Sequence, residues 1–180
     1  MRILKFLVFA VFFVFGAARA ENLIVYFTDS GNTERVADTI HGIVGGDVAR
    51  IVSVIPYPTS MTDKTYVAKR ELESEARPEY EDLGVNVADY DVVFLGYPIW
   101  WGKMPMIMYT FLEHNDFNGK VIVPFATYGS SGLGDSVSEI KRIARGAAVT
   151  EAFGMPGKET EKDHTEAVKA WLSKIAGNAE

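Results

Sequence analysis

The sequence predicts a three-layer α/β protein in which helices cover both faces of an open, doubly wound, five-stranded parallel sheet. Two observations carry this prediction. Strand-type and helix-type patterns alternate five times from residue 23 onward, with the short connections that are typical of βαβ units. The first strand-type run, residues 23–27, is apolar at every position, as expected for a parallel strand that is buried on both faces.

The first two strand–helix units follow from apolar spacing and from glycine and proline. A helix is predicted after Thr33, because apolar residues recur at helical spacing as far as Val44 and two glycines follow. A second strand is predicted at residues 48–54, and the prolines of residues 55–58 end it. A helix is predicted at residues 62–76, with a charged face that indicates exposure to solvent and that carries Lys69, Arg70, Glu71, Glu73 and Glu75.

The later units have the same alternation. Pro105 suits the first turn of a helix that reaches about His114. The last helix has an apolar face and ends at Gly177. The remaining predicted elements are strands at residues 92–95, 121–126 and 147–153, a helix at residues 135–145, and a loop rich in glycine and proline at residues 154–157.

Residues 1–20 are typical of a cleaved export signal. Arg2 and Lys5 form a basic start, residues 6–15 are apolar, and the segment ends in a small-x-small pattern at Ala20. The apolar run is shorter than the ~20 residues that a membrane-spanning helix needs. We therefore expect a signal peptide at residues 1–20, a domain at residues 21–180, no stable membrane anchor and export to the periplasm; the alternative is a cytoplasmic protein.

Composition narrows the function classes. Without residues 1–20 the chain has 15 basic and 24 acidic residues, a formal net charge of −9, which argues against nucleic acid as a partner. The chain has no cysteine, so thiolate nucleophiles and disulfides are excluded. The three histidines lie far apart in sequence and lack ligand-like spacing, so no metal site is predicted. No pattern in the sequence fixes an oligomeric state.

Three unusual loops follow the first, third and fourth strands, so all three are expected at the same edge of the sheet. Loop 1, residues 28–33, offers hydroxyls, an amide and a glycine before a helix, which suits a phosphate group. Loop 2, residues 96–102, contains adjacent tryptophans, which suit a planar ring. Loop 3, residues 127–134, is rich in glycine and can run close to a ligand edge. A flavin mononucleotide (FMN) has this combination of phosphate and planar ring.

The chain resembles the flavodoxin-like flavoproteins from residue 23 to about residue 157. The branch with motifs Y-F-S/T-x-S/T-G-N-T, G-Y-P-I-W-W-G-x-x-P and G-S-G-x-G is matched at residues 26–33, 96–105 and 129–134. The resemblance implies the strand order 2-1-3-4-5 and FMN as cofactor. The sequence differs from that branch at Asp29, a position where the branch frequently has a basic residue. A carboxylate would therefore lie near the phosphate.

The resemblance also implies which residues bind FMN. The phosphate is expected at Thr28, Ser30, Gly31, Asn32 and Thr33. One side of the ring is expected at Pro98, Ile99, Trp100 and Trp101, and the other side at Thr127, Tyr128, Gly129 and Gly132. No general acid, nucleophile or other catalytic residue is expected in the three loops.

Three functions remain open from the sequence. The preferred one is an electron-transfer flavodoxin that exchanges electrons with a redox partner protein. The alternative is an NAD(P)H:quinone reductase of the same fold, an oxidoreductase that would take NAD(P)H and a quinone as substrates. A flavin-free binding protein is the third. A signalling receiver domain is rejected, because the third strand ends in Gly96, Tyr97 and Pro98 rather than in an aspartate.

Overall fold

The computed structural model describes residues 21–177, so the predicted signal at residues 1–20 lies outside the described residues. Strands and helices alternate through this range. They are β1 (Asn22–Phe27), α1 (Asn32–Val44), β2 (Asp47–Ile51), α2 (Met61–Glu73), β3 (Val92–Pro98), α3 (Met106–His114), β4 (Val121–Tyr128), α4 (Ser136–Ile143), β5 (Ala148–Val149), β6 (Phe153–Pro156) and α5 (Thr165–Gly177). Short 3-10 helices lie at Val87–Asp89 and Gly157–Glu159. Among residues 21–177, no helix is both long and apolar enough to cross a membrane.

The sheet is parallel and has the order β2-β1-β3-β4-β5, which confirms the predicted fold class and strand order. Its register brings the carboxyl ends of β1, β3 and β4 to one edge. Tyr26 pairs with Gly96, and Pro98 pairs with Thr127. Loops 1, 2 and 3 leave the sheet from these strand ends, so the fold places them side by side.

The fifth position of the sheet differs from the prediction. One strand was expected at residues 147–153 and a loop at residues 154–157. Instead β5 pairs with the start of β4, and β6, which includes Gly154 and Pro156, pairs with its end. The loop prediction was wrong because β6 is an edge strand, where a residue that cannot donate a backbone hydrogen bond is tolerated. The sheet therefore has six strands, two of which share one position.

Alternate residues of β1 enter two separate cores. Leu23, Val25 and Phe27 belong to the core on the side of α3 and α4, whereas Ile24 and Tyr26 belong to the core beneath α1 and α5. Because both faces of the strand are covered, a continuous apolar run is required there. Full burial of each leucine or isoleucine side chain stabilises the fold by about 1.5–3 kcal/mol.

Gly96 interrupts the apolar run of β3 for a packing reason. A Cβ at this position would overlap the ring of Phe125 and approach the Cβ of Tyr26 at 2.8 Å. Phe125 is fully buried beside it. The glycine therefore makes room for a large side chain on the neighbouring strand, at the point where β3 leads into the aromatic part of loop 2.

Candidate functional site

Loop 1 presents the start of α1 without a capping side chain. Gly31 is the residue before the helix and has a left-handed φ of 82°, a conformation that glycine adopts without strain. Its N–H donates to Thr28 Oγ1 at 3.1 Å, and its carbonyl accepts the first helical hydrogen bond from the Arg35 N–H. The N–H groups of the first helical turn therefore remain for an anion, which the helix dipole also favours.

Thr127, the first residue of loop 3, contacts loops 1 and 2. Its Oγ1 lies 3.0 Å from Thr33 Oγ1, and both side chains are buried. Its carbonyl oxygen accepts a hydrogen bond from the Ile99 N–H at 2.8 Å. One residue at the end of β4 thus fixes loop 1 through its side chain and loop 2 through its backbone.

The side chain of Asn32 in loop 1 contacts residues 157–160, a segment outside the three loops. Its Oδ1 accepts hydrogen bonds from Arg35 Nη1 at 2.9 Å and from Thr160 Oγ1 at 3.1 Å. A Cβ at Gly157 would lie 2.6 Å from Asn32 Nδ2, so a side chain there would displace the amide. Residues 157–160 support loop 1, and no local pattern indicates this contact beyond the adjacent Pro156 and Gly157.

The two tryptophans of loop 2 have different surroundings. Trp100 is half-buried and meets the rings of Phe27 and Tyr57 edge-to-face, at centroid distances of 5.6 and 5.1 Å. The Tyr57 hydroxyl donates to Glu71 Oε2 at 2.9 Å. Burial raises the pKa of the Tyr57 hydroxyl, and the nearby Glu71 raises it further. The position of the Trp100 ring is therefore fixed by its packing against Phe27 and Tyr57.

Trp101 is 52% exposed and has a left-handed φ of 53°, which is unusual for a large side chain. Its Nε1 donates to the Thr65 carbonyl oxygen at 3.2 Å, and Lys69 Nζ lies 5.4 Å from its ring centroid. Both partners belong to α2. A cleft of about 200 Å³ lies between α2 and loop 2, and it is lined by Met61, Lys64, Thr65, Ala68, Ile99, Trp100 and Trp101.

Loops 2 and 3 touch through their backbones. The N–H of Asp135, the residue that directly follows loop 3, donates to the Gly102 carbonyl oxygen at 3.2 Å. A Cβ at Gly134 would overlap that same oxygen, so only glycine fits. In contrast, Gly129 and Gly132 face open space, with no atom within 4 Å of a Cβ built on either residue. Tyr128 is half-buried beside Gly154 of β6.

Asp29 is paired with a lysine from α2. Lys64 Nζ lies 2.5 Å from Asp29 Oδ2, and the two side chains are only 12% and 22% exposed. The carboxylate that the sequence placed in loop 1 is thus neutralised by a residue 35 positions away. Sequence reasoning missed this contact because it arises from the packing of α2 against loop 1.

Comparison with known proteins decides the family. Residues 21–175 match the sequence profile of the family described as Flavodoxin. The chain belongs to the flavodoxin family.

Solved structures similar to this flavodoxin agree with the match. A candidate flavoprotein from Bacteroides eggerthii DSM 20697 has 34% sequence identity and a TM-score of 0.76, over 87% of this chain and 98% of the other. A candidate flavoprotein from Bacteroides uniformis ATCC 8492 has 30% identity and a TM-score of 0.75, over 85% and 97%. A flavoprotein from Lactobacillus acidophilus NCFM, solved in complex with FMN, shares the fold at 19% identity and a TM-score of 0.62, over 79% and 97%.

FMN is the cofactor of flavodoxins, and the donors of the three loops fit it. Loop 1 supplies uncapped N–H groups at a helix start together with the hydroxyls of Thr28 and Ser30. Loops 2 and 3 supply an exposed aromatic ring and two glycines open to the surroundings. Among residues 21–177, no three histidine, aspartate or glutamate side chains gather in a group that could hold a metal ion.

The fold brings the predicted site residues to one edge, but not all in the same way. Ser30, Gly129 and Trp101 are open to solvent or only partly covered. Thr33 and Thr127 are used in the contact between loops, and Asn32 is used in the contact with Thr160. Pro98 ends β3, and Ile99 is buried. Direct contact of each residue with FMN stays a prediction.

Proposed function

We propose that this flavodoxin binds FMN across loops 1, 2 and 3 and transfers electrons to and from a redox partner protein. One observation carries the proposal: Thr127 joins loop 1 to loop 2 by two hydrogen bonds, so the phosphate-type loop and the aromatic loop are held side by side. Bound flavin supplies the electron-accepting ring, and the protein supplies binding and the surrounding electrostatics.

The roles of the residues follow from their surroundings. The uncapped start of α1 and the hydroxyls of loop 1 would hold the phosphate. Trp101 would cover the ring, while Trp100, packed on Phe27 and Tyr57, would keep loop 2 in position. Glycines 129 and 132 would let the backbone of loop 3 approach the polar edge of the ring.

Charge supports a carrier. Residues 21–180 have a formal net charge of −9, which would steer basic redox partners by long-range attraction. The same negative field disfavours added negative charge on the flavin, so the reduction potential is expected to be low. Both effects should weaken as the salt concentration rises.

An NAD(P)H:quinone reductase is the second candidate, and one observation favours it. Trp101 is half-exposed, and a cleft of about 200 Å³ lies beside it against α2. This space would admit part of a second planar ring, which a reductase needs for its nicotinamide and its quinone. The nicotinamide would then be a passing substrate, not a tightly bound cofactor.

The signal-like residues 1–20 suggest where the protein works. We propose that they direct export and that the mature protein starts at Glu21 in the periplasm, where it acquires FMN after crossing the membrane. Mass determination of the protein purified from separated cell fractions tests this. A chain that retains Met1–Ala20 in the cytoplasmic fraction would contradict it.

A flavin titration tests the function. The purified protein should turn yellow with added FMN, and stepwise chemical reduction should then show how many electrons each step takes. Two resolved one-electron steps and slow oxidation of NAD(P)H support the carrier. Fast NAD(P)H oxidation with a quinone supports the reductase. A colourless protein that takes up no FMN contradicts both and supports a flavin-free binding protein.

A further inference from the structure

We infer that Lys64 of α2 is the cation that lets loop 1 accept a phosphate, so that it selects FMN over riboflavin. This inference rests on the proposed function and adds a residue outside the three loops. It starts from the pair between Lys64 Nζ and Asp29 Oδ2 at 2.5 Å.

Asp29 would oppose phosphate binding if it were alone. It lies within loop 1 between Thr28 and Ser30, two residues before Gly31. A phosphate monoester has a charge of about −1.5 to −2 at neutral pH. An unpaired carboxylate in the same loop would repel that charge, and added salt would screen the repulsion because Asp29 is open to solvent.

Lys64, which belongs to α2 and not to any of the three loops, neutralises the Asp29 carboxylate. The lysine side chain is only 12% exposed, and Lys64 is one of the residues that line the cleft beside Trp100 and Trp101. The adjacent Thr65 holds the Trp101 ring through its carbonyl oxygen. Neighbouring residues of one helix therefore contact both the phosphate-type loop and the aromatic loop.

The other charged side chains near loop 1 have partners other than Asp29. Arg35 is bonded to Asn32 Oδ1, and Glu34 accepts from Tyr26 and pairs with Arg50. Together these three charged side chains keep one positive charge, which stays the same in every variant of the Asp29–Lys64 pair.

The direction in which each substitution changes the affinity for FMN follows from the net charge of the Asp29–Lys64 pair. The native pair is neutral. Lys64→Gln leaves one negative charge beside the phosphate, Asp29→Asn leaves one positive charge, and the double variant is neutral again. We expect FMN to bind about tenfold or more weakly to Lys64→Gln and more tightly to Asp29→Asn, with the double variant close to the native protein. Riboflavin, which lacks the phosphate, should change less than about twofold.

The experiment is a flavin fluorescence titration of all four proteins with FMN and with riboflavin, at low and high salt. Arg70→Gln is the matched control, because it removes one positive charge from an exposed position of the same helix. It should leave the FMN-to-riboflavin ratio unchanged. Circular dichroism checks that each variant is folded.

The outcomes separate the two ideas. A native protein that binds neither flavin overturns the proposed function, and the Lys64 assignment falls with it. If FMN binds but both single variants weaken it, or if FMN and riboflavin change equally, the pair is merely structural and only the Lys64 assignment fails. Opposite shifts for the two single variants, confined to FMN and reduced by salt, support it.

Discussion

The hydroxyl oxygens of Thr33 and Thr127 lie 3.0 Å apart, although 94 positions separate the two residues in the chain. Both side chains are buried, so neither can exchange its partner for bulk water at low cost. The contact joins the start of α1 to the end of β4, and it fixes how far loop 1 stands from loop 3.

Removing one hydroxyl of this pair should cost more than removing both. We expect Thr33→Val or Thr127→Val to lower the free energy of unfolding by about 1–3 kcal/mol, since each leaves a buried hydroxyl unpaired. The double variant should recover part of this loss. Urea denaturation of the four proteins in a double-mutant cycle measures it. Strictly additive losses would show that the two hydroxyls do not interact.

Gly134 should tolerate no side chain. Gly134→Ala would place a Cβ against the Gly102 carbonyl oxygen at a φ of 53°, whereas Gly84→Ala meets no atom within 4 Å at a φ of 69°. In both variants alanine adopts a left-handed conformation, which destabilises the fold by about 1–2 kcal/mol. The difference between their free energies of unfolding therefore measures the clash with Gly102 alone. We expect Gly134→Ala to be about 1–3 kcal/mol less stable than Gly84→Ala in thermal or urea denaturation. Equal stability would mean that loops 2 and 3 separate without cost.

Trp101 should matter for flavin binding more than for folding. Trp101→Gly removes an exposed ring and relieves its left-handed backbone, so stability should change by less than about 1 kcal/mol. Loss of ring stacking should weaken FMN and riboflavin alike, by about tenfold. The control is Trp171→Phe, a buried tryptophan between Phe153 and the Glu151 carbonyl. It should lower stability and leave flavin affinity unchanged.

Glu71 should weaken the fold as the pH rises. Burial raises the pKa of its carboxyl, although the hydrogen bond from Tyr57 and the charge of Arg70 lower it in part. The folded state therefore holds this proton more tightly than the unfolded state, so stability falls between the unfolded pKa of about 4.3 and the higher folded value. Glu71→Gln should be as stable as the native protein or up to about 1 kcal/mol more stable at pH 7, and the gain should vanish near pH 4.

Glu113 is the control of opposite sign. The bidentate contact with Arg77, at 2.6 and 2.8 Å, lowers the pKa of the Glu113 carboxyl. Its stabilisation is present at neutral pH and is lost as the pH falls through the lowered folded pKa. Glu113→Gln should cost less than about 1 kcal/mol at pH 7, because the pair is partly exposed. Urea denaturation from about pH 2 to pH 8 tests both variants, because the loss for Glu113 lies below the unfolded pKa of about 4.3. Parallel pH profiles would contradict the assignment.

Local patterns predicted the sheet and the position of the three loops. The apolar run that became β1 and the glycine before α1 are readable within a few residues, because burial on both faces and a left-handed turn each restrict the residue type. The contacts of α2 could not be predicted from local sequence patterns. Its charged face suggested exposure to solvent, yet Glu71 accepts a hydrogen bond from Tyr57 and Lys69 lies over Trp101.

These contacts depend on how α2 packs against loops 1 and 2, and a pattern local to one helix does not specify its partners. The pair between Lys64 and Asp29 shows the same dependence. The division of the fifth sheet position into β5 and β6 was also missed, because Gly154 and Pro156 are typical of turns. Their pairing with β4 becomes possible only at an outer edge.

The hydrogen bond from Thr160 to Asn32 has a consequence for the order of events during synthesis. Thr160 and Gly157 lie in the last quarter of the chain and hold the side chain that begins α1. A nascent chain still emerging from the ribosome has β1 and α1 long before it has residue 160. Loop 1 therefore reaches its final shape only after residues 157–160 have been made and have folded against Asn32, and a cofactor that needs the finished loop must bind after that point.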